Sequence, residues 1–261
     1  MNNQEQNWIN LFGDLPADGI SWCGTWTRYA PDQTVLKSFQ GVRNFIPNED
    51  NTVITHTNHF TYADGRTEET QWQIDKISCN HPDGMIHPAS ASGRALSFAA
   101  GANVWISKNL EPGKFFGGEL FFKHQEWRTS IAMMYGGDRN LVGITQIREY
   151  LGSFPERSPA PKVENLSGNW TGTKQSMTAD LSISAVEEIE GLNIDPTQGK
   201  NETFFLPDRI VVNCPKQVQV GEEFQLVAGK LVADNLYKRL TVKYDNTGNF
   251  SQLTSEVFNR N

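Results

Sequence analysis

At 261 residues the chain can bury one large core or two smaller ones, and the usual domain size of about 150 residues leans toward two. A net charge of -7, from 23 Lys and Arg against 30 Asp and Glu, leaves no cationic surplus to displace counterions, which argues against nucleic-acid binding. No apolar run reaches the length of a membrane span, and the opening MNNQEQNWINLFGDLP holds neither a basic leader nor a continuous apolar stretch, so a soluble cytoplasmic protein is expected.

Trp8, Leu11, Phe12 and Leu15 fall at helical spacing until Pro16 stops the pattern, which predicts a short amphipathic helix at the start. Beyond it, β-branched and aromatic residues cluster between turn signals. TVLKSFQGVRNFI, NTVITHTNHFTYADG, TEETQWQID, NVWIS, GELFFK and WRTSIAMMY predict strands, with ADG, PGK and GGD as turns. SFPERSPAPK carries three prolines among polar residues and reads as a linker. After it, TADLSISAVEEI, RIVVNC, EFQLVAGKLV, RLTVKY and NFSQLTSEVF predict a second, smaller sheet, while Glu187 to Asn193 is open to a helical turn. The expected division is therefore 1–152, a larger barrel with its leading helix; 153–162, the Pro-rich linker; and 163–261, a smaller barrel. Cys23, Cys79 and Cys214 are odd in number and form no CxxC, which suits reduced thiols rather than a disulfide framework or a zinc site.

The two halves repeat each other. GTWT at Gly24 to Thr27 returns as GNWT at Gly168 to Thr171, and YGGDRNLVGITQ from Tyr135 aligns without gaps on YDNTGNFSQLTS from Tyr244. Asn140 then meets Asn249, and Thr145 meets Thr254. Upstream, WRTSI and KRLTV place Arg128 and Arg239 ahead of corresponding strands. The shared order of these matches points to duplication. A Trp on the first strand of a closed barrel is a large plug, and a Gly beside it permits close backbone approach.

A helical start, Gly-x-Trp on the first strand and a late-strand Arg set to stack on that Trp resemble the lipocalin or calycin superfamily. More narrowly, the W-x-x-L-F start at Trp8, GTWTRYAPD, the DG turn at Asp64, ELFF and the WRTS…Y…IRE run resemble a cyanobacterial domain family of unknown function, over residues 5–150. The resemblance implies an all-β protein of two tandem antiparallel barrels. It also implies cation–π closure of each barrel base, a stability device rather than a reactive one; Arg128, Arg148, Arg239 and Arg260 compete for that place, and the internal alignment favours Arg128 on Trp26 and Arg239 on Trp170.

Chemical signatures are sparse. There is no nucleophile elbow, phosphate-binding Gly loop, dinucleotide fingerprint or calcium loop, so no catalytic residue and no cofactor are assigned. His56 and His59 lie on opposite faces of a strand and do not make a metal pair. His81 and His87 flank a loop and read as solvated; His124 faces solvent or a barrel mouth. Glu187, Glu188 and Glu190 read as a solvated face.

The aromatic residues are concentrated in the first half: Phe45, Phe60, Trp72, Trp105, Phe115, Phe122 and Trp127, joined by Met133 and Met134. The wider N-terminal barrel is therefore the place for a small apolar ligand. Arg43, His56, Asn58, Phe60, Trp72, Arg128 and Tyr135 are the candidate ligand-binding residues. Three functions follow in order of preference. The first is a noncatalytic module that holds a pigment, fatty acid or isoprenoid. The second is a protein-interaction module without a ligand. The third, implied by the resemblance alone, is a phycobilin lyase-like chaperone that delivers an open-chain tetrapyrrole to a phycobiliprotein cysteine.

Overall fold

The structure, a computed structural model, describes residues 1–98, 101–163 and 165–260. The chain opens on α1 (Asn3–Phe12), whose first turn is capped by the Asn2 side chain accepting a hydrogen bond from the Glu5 N–H at 2.8 Å. The strands β1 (Ile20–Tyr29), β2 (Val35–Pro47), β3 (Val53–Thr61) and β4 (Thr67–Asp75) follow as consecutive hairpins. A single helical turn, α2 (Lys76–Cys79), leads to β5 (Asn80–His81), β6 (Gly84–His87), β7 (Ser90–Ser97), β8 (Ala102–Ser107), β9 (Phe116–His124), β10 (Trp127–Tyr135) and β11 (Leu141–Leu151). These eleven strands form one antiparallel sheet in which β1 pairs with both β2 and β11. The sheet curls into a nearly closed barrel whose two free edges are β4 and β5.

The second sheet has seven strands: β12 (Trp170–Thr178), β13 (Glu187–Glu190), β14 (Glu202–Leu206), β15 (Ile210–Cys214), β16 (Phe224–Ala233), β17 (Leu236–Tyr244) and β18 (Phe250–Arg260). The protein is thus all-β apart from α1 and one turn, as the strand patterning predicts. At Glu187 the structure differs from the helical-turn alternative. Glu187–Glu190 pairs with Thr171 to Lys174, and the Lys174 ammonium holds the Glu187 carboxylate at 2.8 Å, so cross-strand partners override local helix propensity.

The largest core lies between the sheets. Strand alternation turns Leu120, Ile131, Met133 and Ile144 to the outside of the barrel, where they pack against Leu226, Leu240, Val242 and Leu253 of the second sheet. The contact is reciprocal. Tyr135 donates its hydroxyl proton to the Pro215 carbonyl at 2.8 Å, and Tyr244 donates its own to the Ser107 carbonyl at 2.8 Å. The Val218 N–H donates to the Arg139 carbonyl, as the Leu110 N–H does to that of Gly248; Leu141 donates to Lys216 as Phe250 does to Lys108. Phe224 stacks on Tyr244, and Phe116 meets both rings edge-on. Each half therefore presents its last hairpin turn to the other half's loop after β8 or β15, the self-complementary pattern of a two-fold dimer built within one chain.

This symmetry corrects the register of the repeated motif. Measured against the last strand of each sheet, Trp22 sits opposite Leu151 and Trp170 opposite Arg260, and both Tyr29 and Met177 lie seven residues further along. The equivalent segments are Trp22-Cys23-Gly24-Thr25 and Trp170-Thr171-Gly172-Thr173, so Trp170 matches Trp22 rather than Trp26. Hydrogen-bond register, set by whole-strand pairing, outweighs a four-letter identity. The shared glycine has a steric reason. A Cβ on Gly24 would stand 2.1 Å from the Arg148 carbonyl oxygen, and one on Gly172 would stand 2.4 Å from that of Val257. Gly24→Ala and Gly172→Ala should each lower stability by about 2 kcal/mol or more, read as a fall in chemical-denaturation midpoint; unchanged midpoints would contradict this register.

Candidate functional site

The inward face of the barrel does not fill itself. Trp22, Phe45, Phe60, Trp72, Trp105 and Phe121, with polar residues between them, enclose a cavity of about 270 Å³. Its mouth is covered by the end of α1 and the turn behind it, through Leu11, Phe12 and Leu15. The helix is fixed there because Trp8 and Phe12 pack on Ile54, Ile74, Met85 and Ala95. Asn7 reinforces it by donating to the Ala95 carbonyl at 3.1 Å and accepting from the Ser97 N–H at 2.9 Å. Two residues of one helix thus grip the backbone of β7 near the barrel's open seam, since Asn10 also donates to the Ser97 carbonyl at 2.8 Å.

Four charges form the polar floor. Arg128 forks onto Glu149 with bonds of 2.7 and 2.9 Å, and Arg43 reaches Glu119 at 3.0 Å and Glu149 at 3.4 Å. Ser130 donates to Glu119 at 2.6 Å. Burial works against the charge on both guanidiniums; the two carboxylates outweigh it at Arg43 and raise its pKa, whereas at Arg128 burial prevails and lowers it. Two arginines facing two glutamates leave the cluster neutral, which is the condition for burying it at all.

The arginines stack differently from the expected pairs. Arg128 lies 4.6 Å from the Trp22 ring and Arg43 lies 5.0 Å from that of Trp26. Arg43 shares Glu149 with Arg128 and occupies the Trp26 face, which leaves Trp22 to Arg128. In the second sheet Arg260 lies 4.5 Å from Trp170, directly opposite it in register. Arg239 stands instead against Phe258 and forks onto Glu256, its own partner across the ladder.

The gap between the barrel's edges is bridged by two histidines. The Ala89 N–H donates to His87 Nδ1 at 3.1 Å, His87 Nε2 lies 2.8 Å from His56 Nδ1, and His56 Nε2 lies 3.0 Å from Asn58 Oδ1. Because the first donor is a peptide N–H, the chain runs one way: each ring accepts at Nδ1 and donates at Nε2, and both are neutral. Burial, then the proximity of His87 and of the Arg43 charge, push His56 down to about 3; burial and Arg43 push His87 down to about 4. Phe45 stacks on His56 at 4.4 Å, and Trp72 and Trp105 flank His87 at 5.1 and 5.2 Å.

Of the candidate ligand-binding residues, Arg43, His56, Asn58, Phe60, Trp72 and Arg128 line this cavity. Tyr135 does not. Its strand neighbours alternate, so it faces outward into the core between the sheets, where its hydroxyl is bound to Pro215. His87 is buried at the seam rather than solvated in a loop. Sequence reasoning also missed Trp22, Glu119, Lys123 and Glu149. The shared strand face of Glu119, Phe121 and Lys123 in GELFFK was the available signal. His59 points outward beside Glu69, as alternation requires. Among the described residues no cluster of His, Cys, Asp and Glu is arranged to hold a metal, and no helix is long and apolar enough to cross a membrane.

The fold and cavity define an antiparallel barrel protein with a second sheet docked on its outer wall. Residues 4–154 match the model of the domain of unknown function DUF3598, N-terminal, and the chain belongs to that family. Residues 182–260 match the model of the C-terminal domain of biogenesis factor required for ATP synthase 1. No curated protein matches the chain. A crystal structure of a DUF3598-family protein of unknown function from Nostoc punctiforme is similar, with 20% identity and a TM-score of 0.73 over 98% of this chain and 99% of that one, a likeness of fold. Kievitone hydratase from Nectria haematococca aligns over 96% of this chain and 92% of its own at 7% identity, but a TM-score of 0.23 carries no argument.

The histidine chain sets a pH dependence. Both pKa values are depressed in the folded barrel, so between about pH 6.5 and 4 the unfolded chain binds protons that the native state refuses. This contribution is complete above the unfolded value and is lost as pH falls through that window, on the order of 3 kcal/mol for each histidine. Thermal melts from pH 7.5 to 4.5 should show a falling Tm, and His87→Gln should flatten the slope. Equal slopes for the two proteins would contradict the neutral pair.

Proposed function

We propose that the N-terminal barrel is a lipocalin-like binding module for one small hydrophobic molecule that carries a polar or anionic end. The observation behind this reading is the aromatic-walled cavity of about 270 Å³. That volume is close to the lower end of ligand pockets, roughly 300–1,000 Å³, and suits a fatty acyl or isoprenoid chain better than an open-chain tetrapyrrole. Three donors support the polar end. Lys123 lines the cavity with no carboxylate in ion-pair contact among the described residues. The buried Trp105 indole N–H has no hydrogen-bond acceptor, and Arg43 Nε has only its 3.4 Å ion-pair contact with Glu149. A ligand carboxylate or hydroxyl near them would complete the hydrogen bonding of donors that the protein leaves short of acceptors. Among the described residues no set for bond making accompanies them, and the reading is binding without catalysis.

Quenching of the wall tryptophans during titration with a fatty acid and with an isoprenoid alcohol tests the proposal. At least one should bind with Kd on the order of 0.1–10 µM. Ala95→Phe, which places a ring in the cavity, should abolish uptake while circular dichroism shows the barrel intact. Lys123→Met should weaken the acid about tenfold and leave the alcohol unaffected. Absence of uptake by the wild type, or undiminished uptake by folded Ala95→Phe, would reject the barrel as the site.

A further inference from the structure

A second pocket, of about 110 Å³, lies at the junction of the sheets, and its walls include Trp127 and Arg148 of the barrel, Arg157 of the connecting segment, and Lys230 of β16. The tight turn between β14 and β15 adds Asp208 and Arg209. Its charge is one-sided. Arg148, Arg157, Arg209 and Lys230 face Asp208 alone, with Asp234 pairing Arg209 from outside.

The cations are built into the fold. Lys230 is 8% exposed, and its ammonium donates to the Thr129 hydroxyl at 2.9 Å and to the Asp208 carboxylate. Arg148, also 8% exposed, stacks on Trp127 at 4.2 Å but reaches Asp208 only at 3.5 Å, and its buried Nε has no hydrogen-bond acceptor. Arg157 is exposed at the rim and makes no ion pair among the described residues. Asp208 and Arg209, the last two residues of the three-residue turn from Pro207, both adopt left-handed backbone, at φ 63° and 60°, a region that favours Gly. The strained turn is held by the connecting segment: the Asp208 N–H donates to the Ala160 carbonyl and the Arg209 N–H to that of Pro161. His124, on the pocket wall, has its pKa lowered by burial first and then by Lys238 and Lys230.

We propose that the junction pocket is a phosphate site, separate from the barrel cavity, in which Arg148, Arg157 and Arg209 grasp a phosphate dianion with Lys230 behind them. Four cations face two carboxylates, so a dianion is the charge that brings the cluster to neutrality. Guanidinium forks match phosphate oxygens in pairs, and the buried Arg148 Nε, held 3.5 Å from Asp208 without a hydrogen bond, is a donor with room for a closer acceptor. The ligand is either free phosphate or a phosphate monoester. Since both sheets and the connecting segment contribute, binding staples the two halves and stabilises the folded chain.

Isothermal titration of the full chain with inorganic phosphate, phenyl phosphate and benzoate tests this. Phosphate or phenyl phosphate should bind with Kd on the order of 10 µM to 1 mM and raise Tm. The tighter of the two identifies the source as free ion or monoester. Arg157→Ala, at an exposed position that does not threaten folding, should weaken binding about tenfold. Asp208→Asn, which tolerates the left-handed turn, should strengthen it by removing the competing carboxylate. Ala95→Phe should leave phosphate affinity unchanged, which separates this site from the barrel cavity. No heat with either phosphate, benzoate binding as tightly as phenyl phosphate, or equal affinities in wild type, Arg157→Ala and Asp208→Asn would overturn the proposal.

Discussion

Two arginines and two glutamates are buried inside the barrel, and the rest of the cavity is arranged around keeping them paired. Charges of this kind are costly to desolvate unless each has its partner and its remaining hydrogen bonds. Glu149 is shared by Arg43 and Arg128, Glu119 by Arg43 and Ser130, and the guanidinium faces are covered by Trp22 and Trp26. A floor of that rigidity cannot collapse onto the opposite wall as an all-apolar interior would. The space left above it becomes a cavity instead of a packed core, and α1 closes its mouth.

The second constraint is the seam. Pairing of the first and last strands leaves β4 and β5 as unpaired edges, and exposed edges invite association with other strands. Here the gap is filled by a helix and by a run of neutral hydrogen bonds from Ala89 through His87 and His56 to Asn58. On the far side of the barrel the wall is covered by the second sheet through a reciprocal interface. That interface gives the duplication a physical meaning: the repeated Tyr135 and Tyr244 segments are the parts by which each half holds the other.

Much of this architecture is legible in strand alternation and in the ungapped repeat. ITHTNHF separates His56 and Asn58 from His59, and the structure turns the first two inward and the third outward. The ungapped match from Tyr135 to Tyr244 carries the correct register, because strand partners on both sides preserve it. What stayed hidden depends on long-range pairing. Nothing local in IREY says that Glu149 faces inward while Arg148 faces the sheet junction. His87, beside Pro88, reads as a loop residue because its partner His56 arrives from another strand across the seam. The GTWT and GNWT identity misplaced Trp170 by four residues, two repeats of the pleat, since short identity carries no information about ladder register.

The role proposed for the barrel's polar floor, aromatic walls and helical cover is that of a container for one apolar molecule. Native mass spectrometry of the protein purified from its own source tests that most directly. The account predicts a single small adduct per chain, released on denaturation and extractable into organic solvent. A spectrum of bare polypeptide alone, from protein that also takes up no fatty acid, isoprenoid or tetrapyrrole added to it, would contradict it.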